Sequence, residues 1–285
     1  MITIGVCSHA FSGWPLDRAA RFLADAGITH ISPGFNNPRA QIDPVRAVAE
    51  PDRVADEVLA ITQPLGQTLV ELFMCPLYMP DGGDGSGGGV EPNDPDPARR
   101  ETMVRAFEKV CVFAARAGFR NIMGVPGNIY GGEHRDEAIG RAVPTLKRIP
   151  IIAEKAGTRF TIEPHRWSFL RSPEQVAEFV AMVPRLTLSL DYSHYIGFGF
   201  PMSEIIGLHD VTEHAHAKPS GPGYFKALVH EDDSDHALAI RDLMKRGWDG
   251  VVSTECIYPD GQPTLTESAA FQNLLLAHEL EMMMK

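Results

Sequence analysis

Four residues in the second half of the sequence have side chains that can bind a cation or move a proton. Each follows a short apolar run, and they recur at intervals of about one strand and one helix: Glu163, Asp191, His216 and Glu255. Taken singly, such an acid is more often a helix N-cap or a solvated loop residue, and one histidine in a strand is usually a core residue. Three carboxylates that converge repel one another unless a cation neutralises them. The set therefore predicts a divalent metal site, with Mn²⁺, Mg²⁺ or Co²⁺ favoured by its oxygen-rich donors and zinc still open.

Further polar side chains flank this set and are candidates for substrate contact: His165, His194, His214 and Lys218. His214 lies two residues before His216, so both project from the same face of a strand. Lys218 could bind a substrate oxygen or carboxylate, and the alternative is an ordinary solvated loop lysine. His165 could act as a general base, support a ligand from behind, or point outward.

The elements that must position these residues repeat eight times along the chain. Short β-branched or apolar runs predict strands at 2–7, 28–32, 67–74, 119–125, 158–163, 185–191, 211–217 and 249–256. Between the runs, apolar residues recur with helical spacing, and several of these stretches stop at a glycine, at 27, 118, 157 and 247. Eight such units, without a GxGxxG turn after the first strand, favour a single-domain (β/α)8 TIM barrel over an open α/β sheet.

A barrel of this kind gathers the carboxyl ends of its strands at one mouth, where active sites lie. The four candidate ligands are therefore expected to converge there. One segment interrupts the strand–helix alternation: residues 80–97 are almost entirely Gly, Pro, Asp and Ser. It is predicted to be a mobile loop of the single 1–285 domain, either a plain surface insert or a lid over the mouth.

Composition excludes several classes of protein. The chain has 26 Lys+Arg against 37 Asp+Glu and a formal net charge of −11, which disfavours a nucleic-acid partner. Hydrophobic residues make up 44%, enough to bury a core. No basic segment precedes an apolar run at the N-terminus and no 18 apolar residues are consecutive, which predicts a cytoplasmic protein without a membrane partner. The four scattered cysteines are predicted to be free thiols: Cys7, Cys75, Cys111 and Cys256.

The order of these motifs resembles the xylose isomerase-like TIM barrel superfamily, the sugar phosphate isomerase/epimerase family. The resemblance lies in Glu163, the AspTyrSerHis segment from Asp191 to His194, His216 and Glu255, at the ends of predicted strands five to eight. It implies that the three acids and one histidine already named bind the metal and that His194 lies near substrate oxygens. It also implies that Glu163 and Glu255 form the acid/base pair of an isomerase or epimerase. The implied substrate is a small keto-sugar, polyol or hydroxy-keto acid, converted through an enediolate.

The chain departs from the family after the histidine of the seventh predicted strand. The epimerases carry an acidic residue and then an arginine there, whereas residues 217–226 read AlaLysProSerGlyProGlyTyrPheLys. This departure keeps a lyase or dehydratase at the same site open, including deglycosylation by elimination from a 3-keto sugar. A non-catalytic binding barrel and an AP endonuclease-type enzyme are less favoured, the latter because strands three and four supply no extra histidine. A homo-oligomer is left open.

Overall fold

The fold is a parallel β-barrel surrounded by helices, seen in a computed structural model that describes residues 1–11, 13–35, 40–74, 77–78, 89–257 and 263–285. Its strands are β1 (Thr3–Val6), β2 (His30–Ile31), β3 (Thr68–Leu69), β4 (Glu71–Phe73), β5 (Leu77–Tyr78), β6 (Gly89–Val90), β7 (Asn121–Gly124), β8 (Arg159–Ile162), β9 (Thr187–Asp191), β10 (Thr212–Ala217) and β11 (Val251–Thr254). Nine of them form one parallel sheet in the order β3-β2-β1-β11-β10-β9-β8-β7-β4. Every predicted strand overlaps an observed one, and the predicted single-domain α/β barrel is confirmed.

The third strand position of the barrel is divided in two. β3 pairs with β2 and β4 pairs with β7, with Val70 between them. A parallel bridge between Gly34 and Phe73 joins the chain after β2 to β4. Because β3 and β4 are consecutive in the chain, the sheet turns back on itself and forms a nearly closed barrel.

Helices cover the outside of this barrel. They are α1 (Leu16–Asp25), α2 (Pro44–Ala49), α3 (Pro51–Thr62), α4 (Pro97–Ala117), α5 (Arg135–Leu146), α6 (Ile149–Ala156), α7 (Pro173–Met182), α8 (Tyr192–Gly197), α9 (Met202–Ile205), α10 (His236–Lys245) and α11 (Pro263–Met283). Gly118 and Gly157 end α4 and α6 in the left-handed region, at φ of 82° and 89°, where a side chain would be strained. The predicted glycine stops are thus confirmed at these two helices.

The apolar core lies between helices and strands, whereas part of the barrel interior is polar. Phe107 of α4 packs edge-to-face against Phe160 of β8, with ring centroids 5.4 Å apart. Inside the barrel, Thr161 and Ser189 share a hydrogen bond of 2.7 Å between their hydroxyl oxygens. Burial of such groups costs free energy unless they are paired, so these neighbouring strands hold a hydrogen-bonded network beneath the mouth.

The predicted loop at 80–97 lies partly outside the described residues, which resume at Gly89. β6 pairs antiparallel with β5. Beyond it, Asn93 is fully buried and donates from Nδ2 to the backbone oxygen of Asn128 at 2.6 Å. Asp94 accepts a hydrogen bond of 3.0 Å from Nε of Arg99. The last part of this segment is therefore packed and hydrogen-bonded, which differs from the mobile loop that its composition predicts.

The described cysteines are free thiols, as predicted. Cys7, Cys111 and Cys256 are buried and unpaired, and Cys75 lies outside the described residues. Within the parts of the chain that the structure covers, no helix has the length and apolar character needed to cross a membrane.

Candidate metal centre

The four predicted ligands converge at one end of the barrel because each lies where its strand ends. Asp191 is the last residue of β9 and His216 the last but one of β10, and the two are register partners. Glu163 directly follows β8 and Glu255 directly follows β11. One donor atom from each of the four side chains lies within 4.8 Å of those from the others. The expected convergence is therefore what the structure shows.

The cluster is buried and rich in negative charge. All four residues are at most 2% exposed. Burial, together with the charges of Glu255 and Asp191, raises the pKa of Glu163 to about 7, although a contact of 3.2 Å with Nδ1 of His216 opposes the shift. Burial disfavours the charged imidazolium of His216, but neighbouring Cys7 and Glu71 raise its pKa well above 6.5. A cation at this position would relieve the repulsion among the carboxylates.

Lys218 already places one positive charge among the carboxylates. Its Nζ donates to Oδ2 of Asp191 at 2.6 Å and to Oε2 of Glu255 at 2.9 Å, and the residue is only 4% exposed. Burial would raise the pKa of both acids, but the charge of Lys218 outweighs it. The pKa of Asp191 falls to about 2 and that of Glu255 lies well below its usual value. Lys218 thus contacts two predicted ligands, in addition to any substrate contact.

The residues present fit a divalent cation. Three carboxylates and one imidazole are a donor set suited to Mn²⁺, Mg²⁺, Co²⁺ or Zn²⁺. Beside them, Nδ1 and Nε2 of His194 and Nδ1 of His165 are buried and have no hydrogen-bond partner among the described residues. Buried polar atoms are normally satisfied, so these unpaired nitrogens are consistent with a site that takes up further ligands.

Glu71 supports His216 from inside the barrel, a role that the sequence alone did not indicate. Its Oε2 lies 2.6 Å from Nε2 of His216, and its Oε1 accepts from Nδ2 of Asn121 at 2.8 Å and from the hydroxyl of Ser189. A carboxylate that accepts one ring N–H of a histidine leaves the other ring nitrogen free to bind a metal. The feature of the sequence that could have indicated this role is a single acid, Glu71, within the apolar run 67–74.

His214 lies deeper in the barrel than His216. It is 1% exposed, and its Nε2 lies 3.8 Å from Oε2 of Glu71. Burial lowers its pKa to about 4, which keeps the ring neutral. His214 therefore lies beneath the centre, next to Glu71, and its substrate contact stays a prediction.

His165 and His194 form one wall beside the cluster. Their ring centroids are 4.2 Å apart, and Nε2 of His194 lies 3.3 Å from Oδ2 of Asp191. The ring of Trp167 lies 4.2 Å from His165 and is 66% exposed, so this wall extends from the buried centre to the surface. Burial lowers the pKa of His165 to about 4, with the charge of Lys218 adding to the shift. Neutral imidazoles at this place can bind the hydroxyl groups of a substrate.

His9 completes the contacts of Glu255. Its Nε2 lies 2.8 Å from Oε1 of Glu255, and its ring stacks on Phe73 with centroids 3.8 Å apart. The residue follows β1, so it belongs to the same end of the barrel.

A family model described as the xylose isomerase-like TIM barrel matches residues 20–278. The match covers most of the chain, and together with the barrel it shows that the chain belongs to this family. A comparison with curated protein sequences gave no match.

Among solved structures, this chain is similar to an L-ribulose 3-epimerase, with 18% identity, a TM-score of 0.73 and coverage of 99% of this chain and 96% of that one. It is also similar to the 3-keto-D-glucoside 4-epimerase YcjR from E. coli, with 14% identity, a TM-score of 0.71 and coverage of 98% and 100%. The probable 3-DHS dehydratase AsbF from Bacillus anthracis matches with 12% identity, a TM-score of 0.69 and coverage of 96% and 98%. At these identities the likeness shows the fold alone.

Proposed function

We propose that the protein is a divalent-metal-dependent isomerase or epimerase of a small keto-sugar, polyol or hydroxy-keto acid. The observation that carries this proposal is the presence of Glu163 and Glu255 in one buried cluster with Asp191 and His216, where the donor atoms lie within 4.8 Å of one another. Two carboxyl groups that reach one substrate from different strands can serve as acid and base in the same reaction. The sugar epimerases among the similar structures support the proposal.

In the proposed mechanism Glu163, Asp191, His216 and Glu255 would hold the divalent ion, with Mn²⁺ preferred, and the ion would supply Lewis-acid polarisation of a substrate ketone. Glu255 stays ionised and accepts a proton from the carbon next to the carbonyl. Glu163, the second carboxyl group of the pair, delivers a proton to the enediolate from its own side of the substrate. The two glutamates thereby exchange a proton between faces or carbons of the substrate.

The imidazoles beside the cluster orient the substrate in this proposal. His194 and His165 present buried, unpaired nitrogens that can bind substrate hydroxyl oxygens. The Trp167 ring extends the same wall toward the surface, where an apolar sugar face can pack.

Glu163→Gln and Glu255→Gln test the acid/base assignment. Gln keeps the size and one oxygen of the side chain but removes its basicity, so kcat is expected to fall about 100-fold or more. The assay incubates Mn²⁺-loaded protein with L-ribulose, D-tagatose and D-allulose in D₂O and analyses the products by mass spectrometry. Deuterium is expected at the carbon next to the carbonyl, and each variant is expected to bind some Mn²⁺ in calorimetry.

Glu281→Gln is the matched control for this experiment. Glu281 is exposed and borders the start of β1, at the opposite end of the barrel, so its loss should leave turnover unchanged. Product without deuterium, together with near-normal turnover in both Gln variants, would overturn the proton-transfer mechanism. Parent protein that binds no Mn²⁺ in calorimetry would overturn the metal centre itself.

A lyase or dehydratase at the same site is the second candidate. The Lys218 ammonium beside Glu255 can protonate a leaving oxygen, and the probable dehydratase AsbF shares the fold. Elimination from 3-DHS or from a 3-keto-D-glucoside, with no epimerisation of the ketoses, would favour this candidate. The cytoplasmic location and a homo-oligomeric state stay predictions.

A further inference from the structure

We propose that the Lys218 ammonium is a built-in competitor of the metal: it fills the centre of the metal-free protein, and a divalent ion must displace it. This inference rests on the metal centre of the proposed function. It assigns to Lys218 the control of metal affinity, in addition to the substrate contact expected from the sequence.

The contacts of the two shared carboxylates carry this proposal. Oδ1 of Asp191 accepts the backbone N–H of Ser193 at 2.8 Å, and Oε1 of Glu255 contacts Nε2 of His9 at 2.8 Å. In each case the second oxygen is the one that Lys218 holds, at 2.6 and 2.9 Å. The oxygens that a metal could reach with the least loss of other hydrogen bonds are therefore the two that Lys218 contacts.

Electrostatics makes simultaneous occupancy unfavourable. A divalent ion on those oxygens would lie within a few ångströms of the ammonium, and like charges in a water-poor site repel strongly. The lysine can leave because its charge sits on a flexible four-carbon stem, whereas the ligands stand at the ends of hydrogen-bonded strands. His216 and Glu163, which Lys218 does not contact, face each other at 3.2 Å. They can receive the ion first, with release of the proton on Nδ1 of His216, and remain bound as the lysine withdraws.

The displaced ammonium stays beside the centre, because the backbone around it is fixed by the strand. The carbonyl oxygen of Ala217 accepts a hydrogen bond of 2.9 Å from the backbone N–H of Glu255. Once the metal binds Asp191 and Glu255, the Lys218 ammonium no longer contacts these carboxylates. It is then free to bind an anionic or oxygen-rich group of the substrate. Metal binding thus couples to the availability of Lys218.

Calorimetric titration with Mn²⁺ alone, at fixed pH and ionic strength, tests the proposal. Lys218→Met removes the charge and keeps an apolar stem of similar length, and we expect it to bind Mn²⁺ at least tenfold more tightly than the parent. Lys218→Arg keeps the charge and should not gain affinity. Lys155→Met, on the exposed surface of α6, changes the net charge of the protein equally and is the matched control.

The outcomes separate this inference from the proposed function. Equal or weaker binding by folded Lys218→Met, with a parent that binds Mn²⁺, overturns the competition and leaves the metal centre intact. Binding by the variant but not by the parent supports the competition, and it overturns the metal-dependent function proposed for the parent. No binding by either protein overturns both. If Lys218→Met does not fold, as judged by circular dichroism, Lys218→Gln is titrated in its place with the same expectation.

Discussion

Replacement of Glu71 by Gln tests whether the carboxylate inside the barrel determines which nitrogen of His216 is free. In the structure Nε2 of His216 faces Glu71 and Nδ1 faces Glu163. As long as Glu71 accepts the Nε2 proton, Nδ1 can present a lone pair to a metal. Gln offers one oxygen in place of two, so one of the donors that meet Glu71 must face an NH₂ group.

The expected magnitude follows from the hydrogen bonds that compete for that single oxygen. His216 donates at 2.6 Å and Asn121 at 2.8 Å, to different oxygens of Glu71. Losing one bond to a charged group costs about 1.5–3 kcal/mol. If His216 loses its hydrogen bond, the tautomer with the proton on Nε2 and a free Nδ1 is stabilised less. Mn²⁺ affinity is then expected to drop about 10- to 100-fold.

The assay is calorimetric Mn²⁺ titration, paired with urea unfolding of the metal-free protein. Ser189→Ala is the matched control, because it removes a different hydrogen bond to Glu71 and leaves the His216 contact in place. This control should lose stability but keep its Mn²⁺ affinity within about threefold. The reasoning would be refuted if the Glu71→Gln protein unfolded more easily but bound Mn²⁺ like the parent. Glu71 would then stabilise the barrel without affecting the metal site.

Two further predictions concern the buried histidines. Burial lowers the pKa of His165 and of His214 to about 4, below the unfolded value of 6.5, so the unfolded chain binds more protons below pH 6.5. His194 acts in the same direction because its pKa is also lowered by burial, whereas Glu163 and His216, whose pKa values are raised, act in the opposite direction. A net loss of unfolding free energy is expected between pH 7 and pH 5. Urea unfolding at both pH values measures it, and equal stability would contradict the assignment. His165→Ala is expected to raise KM for an accepted ketose several-fold while Mn²⁺ affinity stays unchanged, and a loss of Mn²⁺ affinity would show a metal-supporting role.

The positions of the four candidate ligands could be predicted because the end of a strand can be read from the few residues around it. Glu163 and Asp191 come directly after three residues that read as strand, and β8 and β9 end there. In a parallel barrel all such ends face the same way, so convergence needs no knowledge of the pairing register. The family resemblance then supplied an expected role for each position.

The depth of a side chain within the barrel and the residues that it contacts could not be derived from the sequence in the same way. Alternation along the strand places His214 and His216 on the same face. It does not predict that His216 lies at the mouth of the barrel while His214, two residues earlier, lies in the interior. The contact between Glu71 and His216 joins strands that are not neighbours in the sheet, across the barrel interior. Lys218 follows its strand as a loop lysine would, and only the packed structure shows its charge among the carboxylates.

Isomerisation and elimination would begin with the same proton removal at this site, and they differ in where the next proton is delivered. Glu163 stands on the His194 side, with 3.9 Å between Oε1 of Glu163 and Nε2 of His194. Lys218 stands on the side of Asp191 and Glu255. A substrate whose carbon faces Glu163 would be reprotonated and leave as an epimer or isomer, whereas one whose leaving oxygen faces Lys218 would lose it. If the metal frees Lys218 as proposed, loading with the ion activates both routes, and the pose of the substrate between these two proton donors decides the product.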